Sequence, residues 1–356
     1  MIRWRRATVQ RVRQEWAGAM ELEVELEGGT ARALAYPELV GRPEPGDEVL
    51  LNTTALSQGL GTGGYAYVVA IPSRLPPDQV ERGHLVKARY TPLQATVLGA
   101  DEQGSQHHDV LRGADSLDGM PVVIADLHSA LPAIVAGLRS SGRPLRVAYV
   151  MSDGGALPMW FSRTVAGLRS AGWLAASVSV GQAFGGDHEA VTLHSGLLVA
   201  RHVVGADVAV VTQGPGNLGT DTRWGFSGVA SGEAVNAVAA LRGLAVASLR
   251  ISGADPRDRH RGVSHHSLTA YGRVALVAAD VVVPVLPEPL GSQVRREAAV
   301  LGERHRLIEV PTEGLAELLR ESPVPLSTMG RDLDADPAAF LSAAAAGRHA
   351  AALLPD

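Results

Sequence analysis

From Pro121 onward, short apolar runs alternate with stretches of helical periodicity, and this alternation constrains the fold more than any other feature. The runs are Pro121 to Ala125, Leu145 to Met151, Leu174 to Val180, Asp207 to Thr212, Leu244 to Leu249, Asp280 to Val285 and Arg306 to Val310. Segments such as V-A-V-V carry no polar face, so both sides of the strand need cover, and a parallel sheet between two helical layers supplies it. The helical stretches between them are Pro132 to Ser140, Pro158 to Ser170, Glu189 to Val203, Gly228 to Leu241, Leu268 to Val277, Ser292 to Leu301 and Gly314 to Glu321. Two successive units echo each other: A-D-L-H-S-A-L-P leads to A-G-L-R-S-S-G, and S-D-G-G-A-L-P leads to A-G-L-R-S-A-G. The expected class is α/β, a doubly wound and mostly parallel sheet.

The first part of the chain reads differently. Arg6 to Val12, Met20 to Leu26, Thr30 to Ala35, Glu48 to Asn52 and Tyr65 to Ala70 are short β-patterns separated by Gly-Gly, Pro-Glu-Pro-Gly-Asp and Gly-Thr-Gly-Gly turns, which suggests a small barrel. The proline-rich Ile71 to Pro77 reads as a linker before the polar Asp78 to Gly83. The expected division is a β-barrel over 1–77 and a Rossmann-like α/β domain over 78–356. At 356 residues, 46% hydrophobic and 19% charged, the chain has the composition of a soluble globular protein, with no apolar window near the ~18 residues of a membrane span. The amino terminus M-I-R-W-R-R lacks a following apolar core, so no secretory signal is evident. The absence of cysteine excludes disulfides, thiolate metal ligands and a cysteine nucleophile, and fits a cytoplasmic location. A net charge of −5 disfavours nucleic acid as a partner, and a homo-oligomer stays open.

In open α/β sheets, ligands bind outside the carboxyl ends of the strands. Those ends carry A-D-L-H-S at 125–129, S-D-G-G at 152–155, G-Q-A-F-G-G-D-H-E at 181–189, T-Q-G-P-G-N-L-G-T-D-T-R-W-G-F at 212–226 and the histidine-rich Ser252 to Ser267. The opposite ends, such as G-L-R-S-S-G-R at 137–143, carry nothing comparable. Gly214, Gly216 and Gly219 form a G-x-G-x-x-G, yet no helix begins at once and Arg250, not an acid, ends the next strand, so an anion cradle is expected in place of a dinucleotide site. Asn217, Thr220 and Arg223 would complete that cradle. His265 or His266, oriented by Asp255 or Asp258, would serve as general acid or base, with His188 as a further candidate. Asp187 would cap a helix beginning near Glu189, pair with His188 as acid and base, or join Asp126, His128 and Asp153, with His188, His265 and His266, among the ligands of a zinc, manganese or iron ion. Lys87, the only lysine, marks a position where arginine has not replaced an amine. No G-x-S-x-G elbow and no P-loop occur, which disfavours two large mechanistic classes.

The blocks G-H-L-V-K-A-R-Y-T-P-L-Q, A-D-L-H-S-A-L-P, S-D-G-G-A-L-P, G-Q-A-F-G-G-D, Q-G-P-G-N-L-G-T-D-T-R-W-G-F-S-G, D-R-H-R-G-V-S-H-H-S-L-T and S-T-M-G-R-D together resemble an uncharacterised bacterial family of about this length, known only as a domain of unknown function. The resemblance spans essentially the whole chain and implies one fixed architecture, without an activity or assigned residues. The expected function is an enzyme acting on a small anionic metabolite, phosphorylated or nucleotide-like, by hydrolysis or group transfer, with a divalent metal as one option. The alternatives are a non-catalytic metabolite sensor and an NAD(P)-dependent oxidoreductase.

Overall fold

Residues 1–59, 64–78 and 83–355 are described in a computed structural model of the chain. The expected Gly-Thr-Gly-Gly turn and the polar stretch after the linker fall partly outside them. The chain separates into two compact units, Met1–Val97 with Trp160–Ala166, and Leu98–Met159 with Gly167–Asp356.

In the first unit, β1 (Trp4–Trp16), β2 (Ala19–Leu26), β3 (Gly29–Ala35), β4 (Glu48–Asn52) and β5 (Ala66–Ala70) close a barrel in the order β1-β2-β3-β5-β4. Alternation places Val9, Leu22, Val24, Val49, Leu51 and Val68 inside, each at most 4% exposed. Trp16 donates its indole N–H to the Trp160 carbonyl at 2.7 Å, and the buried Glu21 carboxylate accepts from the Tyr65 hydroxyl at 2.7 Å and from Arg163. A short hairpin pairs β6 (Leu85–Lys87) with β7 (Ala95–Val97).

The second unit holds an eight-stranded sheet, and every pairing in it is parallel. Its strands are β8 (Pro121–Ile124), β9 (Val147–Ser152), β10 (Ala176–Val180), β11 (His188–Ala190), β12 (Val208–Gln213) and β13 (Leu244–Ser248). After a two-residue ribbon of β14 (Ile251–Ser252) with β15 (Gly262–Val263) come β16 (Asp280–Val285) and β17 (Arg306–Pro311). A second ribbon pairs β18 (Ser327–Thr328) with β19 (Arg331–Asp332). The sheet order is β11-β10-β9-β12-β8-β13-β16-β17. The chain leaves β8 toward β9 and β13 toward β16, in opposite directions across the sheet. Right-handed crossovers then put the two connecting helices on opposite faces, so a crevice opens above the carboxyl ends of β8 and β13.

Three expectations change. The helix expected over Glu189 to Val203 opens as edge strand β11; the helix proper is Leu193–Leu198, capped by Thr192, whose hydroxyl accepts from Ser195 N at 3.1 Å, and Asp187 caps nothing. The stretch Pro158 to Ser170 divides into a 3-10 turn at Met159–Phe161 and a helix at Arg163–Ser170. Beyond Glu321, where no element was expected, helix Pro337–Ala352 lies against helix Leu131–Arg139. Its alanine-rich sequence shows no amphipathic stripe because most of its surface is buried.

The two helices meet at glycine. A Cβ on Gly137 would stand 1.9 Å from the Ala344 carbonyl oxygen, and one on Gly347 would stand 2.0 Å from that of Ile134. Helix propensity alone favours alanine over glycine by ~1 kcal/mol, whereas backbone overlap of this size costs ~1–3 kcal/mol or more. Gly347→Ala is therefore expected to lower unfolding free energy in urea by ~1 kcal/mol or more; an increase would contradict this packing.

Candidate functional site

Asp126 follows the end of β8 and Arg250 follows the end of β13, so the crevice begins between an acid and a base. The Asp126 carbonyl accepts from the Gln213 side-chain amide at 2.6 Å, tying the end of β12 to that of β8. Asp126 is 5% exposed, and its Oδ2 has no hydrogen-bond partner, although Arg250 Nη1 lies 3.7 Å away and His266 Nδ1 3.5 Å away. These separations are ion-pair distances too long for good hydrogen bonds. Burial pushes the Asp126 carboxyl up, but His266 and Arg250 outweigh it and hold the group below the usual carboxylate range.

Below the crevice runs a buried polar chain. His128 Nδ1 meets the Tyr149 hydroxyl at 3.0 Å, and that hydroxyl meets Thr212 Oγ1 at 3.0 Å. Burial drives His128 down to about 4, so it is neutral and structural at ordinary pH.

The cleft encloses about 30 Å³ and is lined by Asp126, Ser129, Arg250, Ser252, Thr328 and Arg331 among others. Arg331 is held on two carboxylates: its Nη2 donates to Asp255 Oδ2 at 3.1 Å and its Nε to Asp336 Oδ2 at 3.0 Å. Asp255 also receives a two-pronged bond from Arg257, at 2.9 Å on each oxygen, and the two arginines hold its carboxyl far below the usual range. Asp336 accepts in addition from Ser252 Oγ and Gly253 N, fixing the start of the histidine-rich segment. Asp255 thus orients arginines; the expectation that it orients His265 or His266 is replaced. Asp258 sits in solvent, 3.6 Å from Arg261.

The three histidines of that segment converge. Ring centroids lie 5.1 Å apart for His260 and His265, 4.9 Å for His260 and His266, and 4.4 Å for His265 and His266. Ser264, which caps helix His265–Thr269, accepts from His266 N and meets His260 Nδ1 at 2.7 Å. Phe226, at the end of the glycine-rich loop, stacks on the His266 ring at 3.8 Å and 5°. Arg250 donates to His266 Nδ1 at 3.2 Å. Burial first, then neighbouring cationic groups, lower His260 to about 3 and His265 below its usual range.

Other expected residues lie apart from this centre or serve the scaffold. In the loop, Thr220 N and Ser227 N bond Gly225 O and Leu218 O, and Thr220 and Thr222 hydroxyls meet each other at 3.2 Å. Asn217 accepts from Ser227, Arg223 is exposed, and Gly216 has the positive φ of 97° that its turn needs. Gly214 packs against Leu157 and Met151, where a Cβ would stand 2.5 Å and 2.9 Å away, and Gly219 bridges to Phe226. The loop closes on itself and reaches the histidine segment through Asp221 and Arg259, 2.9 Å apart. Asp153 accepts Gly155 N, Ala156 N and Gln182 N, so it shapes its own turn. Asp187 accepts from Ser177 near the amino end of β10 and pairs with Arg169, and His188 begins edge strand β11, four strands from β8, with its ring beside His107. The metal set of Asp126, His128, Asp153 and Asp187 is therefore not brought together. Lys87 is buried on β6 in the first unit.

Sequence reasoning assigns no role to Arg331, Asp336, Phe226 or His260, and reads Arg250 only as the residue standing where a dinucleotide site needs an acid. Arg331 lies within the S-T-M-G-R-D block, which is the signal that points to it. A family model covers residues 32–347. The chain belongs to the family described as protein of unknown function (DUF3866). The match includes the cleft, the histidine segment and Arg331, so they belong to one family architecture. No curated protein and no solved structure gives a match. Among the described residues, no helix is long and apolar enough to cross a membrane.

His128 gives the scaffold a pH dependence. Its folded value near 4 lies below the ordinary 6.5, so the unfolded chain binds the extra proton; its contribution is complete above pH 6.5 and is lost as pH falls toward 4. The shift from 6.5 to about 4 amounts to ~3 kcal/mol. His128→Gln is expected to flatten the fall in urea stability between pH 7 and pH 4.5, and an unchanged fall would assign it elsewhere.

Proposed function

We propose that the protein is an enzyme that hydrolyses, or transfers a group on, a small anionic metabolite bound in the cleft above β8 and β13. The observation that carries this reading is the Asp126 carboxylate, buried at the topological switch point with one oxygen unpartnered. A buried acceptor without a hydrogen bond costs ~1–3 kcal/mol, and here Arg250 and His266 at ion-pair distance offset part of that cost while leaving the oxygen open. Asp126 Oδ2 is placed to accept a proton from a water or acceptor hydroxyl, while His266, beside it, serves as the second proton-transfer group.

Arg250 supports the anionic substrate class. Its side chain is 10% exposed, lines the cleft, and among the described residues its Nε and Nη2 have no hydrogen-bond partner. The cleft is also lined by Thr328, whose hydroxyl accepts from Ser129 at 3.0 Å and keeps its own proton for a carboxylate or phosphoryl oxygen, whereas Ser252 donates to Asp336. The anion site expected at the glycine-rich loop is thereby moved to the cleft, and the loop's role becomes the seating of Phe226 against His266.

A thermal-shift panel of phosphorylated and carboxylated metabolites, followed by product assays on the hits, tests this. A hit at a hundred times its Kd stabilises the folded state by ~2.7 kcal/mol. Arg250→Met is expected to abolish the shift, and Asp126→Asn to keep the shift while cutting turnover at least ~100-fold. Turnover at the normal rate in Asp126→Asn would overturn the assignment, and binding without any product would favour a non-catalytic sensor.

A further inference from the structure

We infer that His260, His265 and His266 form a binding site for one first-row divalent transition metal, with Zn²⁺ the best match. One ring nitrogen from each lies within 4.8 Å of those from the other two. The three come from a seven-residue span, and the turn Asp258–His260 and the helix starting at His265 bring them together.

The partners of each ring leave a nitrogen for the metal. His260 spends Nδ1 on Ser264 Oγ, which leaves Nε2. His265 Nε2 is buried and has no hydrogen-bond partner. His266 turns Nδ1 toward Asp126 Oδ2, 3.5 Å away, the arrangement in which a carboxylate orients a metal-binding imidazole through its other nitrogen. A metal on Nε2 puts the His266 proton on Nδ1, which then gives up the bond it accepts from Arg250 Nη1 and donates to the unpartnered Asp126 Oδ2.

Three neutral imidazoles and no thiolate or carboxylate in the inner set favour Zn²⁺, Cu²⁺, Ni²⁺ or Fe²⁺ over Mg²⁺ or Ca²⁺. Tetrahedral Zn–N bonds of ~2.0–2.1 Å place ligand nitrogens ~3.3 Å apart, so the 4.8 Å cluster closes by ring rotation. His265, only partly buried, has the freedom to make that rotation. A fourth position stays open to solvent or substrate. A metal on His266 would take that ring out of proton transfer in the cleft, so the inference competes with the role given to His266 under the proposed function, and calorimetry reads metal binding without any assay of turnover.

Chelator-treated full-length protein titrated with ZnCl₂ in a calorimeter at pH 7.5 tests it. The expected result is one equivalent bound, with affinity reduced at least ~100-fold in His265→Ala and ~10–100-fold in Ser264→Ala, a positioning change. His188→Ala, at the remote His107–His188 pair, is expected to bind normally, and MgCl₂ is expected to give no saturable heat. Thermal melts verify that each variant is folded; should His265→Ala melt early, His265→Gln replaces it. Absence of stoichiometric binding, equal affinity in a folded His265 variant, or loss of binding in His188→Ala would overturn the inference.

Discussion

All eight strands of the main sheet run the same way, and that single constraint decides where this protein can do chemistry. A parallel sheet covered on both faces consumes its own backbone hydrogen bonds and buries its side chains, so polar groups collect beyond the carboxyl ends. Because the connections after β8 and β13 depart in opposite directions, the helices diverge there and leave the one crevice that the topology requires. Asp126 and Arg250 are the residues at its two lips. Tyr271 holds the lips at a fixed spacing by donating to the carbonyls of Ile124 and Ser248, at 2.9 Å and 3.2 Å.

The crevice becomes a site through long-range charge pairing. Arg331, 76 residues beyond Asp255, is clamped between Asp255 and Asp336, and this brings the β18–β19 ribbon onto the histidine segment. Removing one partner of such a buried set strands the others at several kcal/mol, so the arrangement is specified cooperatively. Asp126 differs from these acids in having no hydrogen bond on Oδ2. Among the buried carboxylates around the cleft, Asp255 and Asp336 are committed to structure and Asp126 is not.

Much of this was legible in the sequence. The apolar runs locate seven of the eight sheet strands, since buried parallel strands have a signature that tertiary context rarely overrides. Strand β11 escaped because three residues at an edge leave no period to read, and Asp187 looked like a helix cap on that account. The helix Pro337–Ala352 escaped because small residues packed against Gly137 remove the stripe that marks a surface helix. His265 and His266 stood out by composition, but their neighbours Phe226, Arg250 and Asp126 come from separate loops that only the sheet order brings together. His128 carries the opposite lesson: a histidine beside a candidate acid serves a buried hydrogen-bonded chain.

The central claim is that Asp126 and His266, 140 residues apart in sequence, act as one unit. A double-mutant cycle of Asp126→Asn and His266→Ala, measured by urea unfolding at pH 7, addresses it without knowledge of the substrate. A coupling free energy of at least ~0.5 kcal/mol is expected, since each side chain shapes the other's electrostatic surroundings at 3.5 Å. Additivity within ~0.3 kcal/mol would show two independent residues and contradict it.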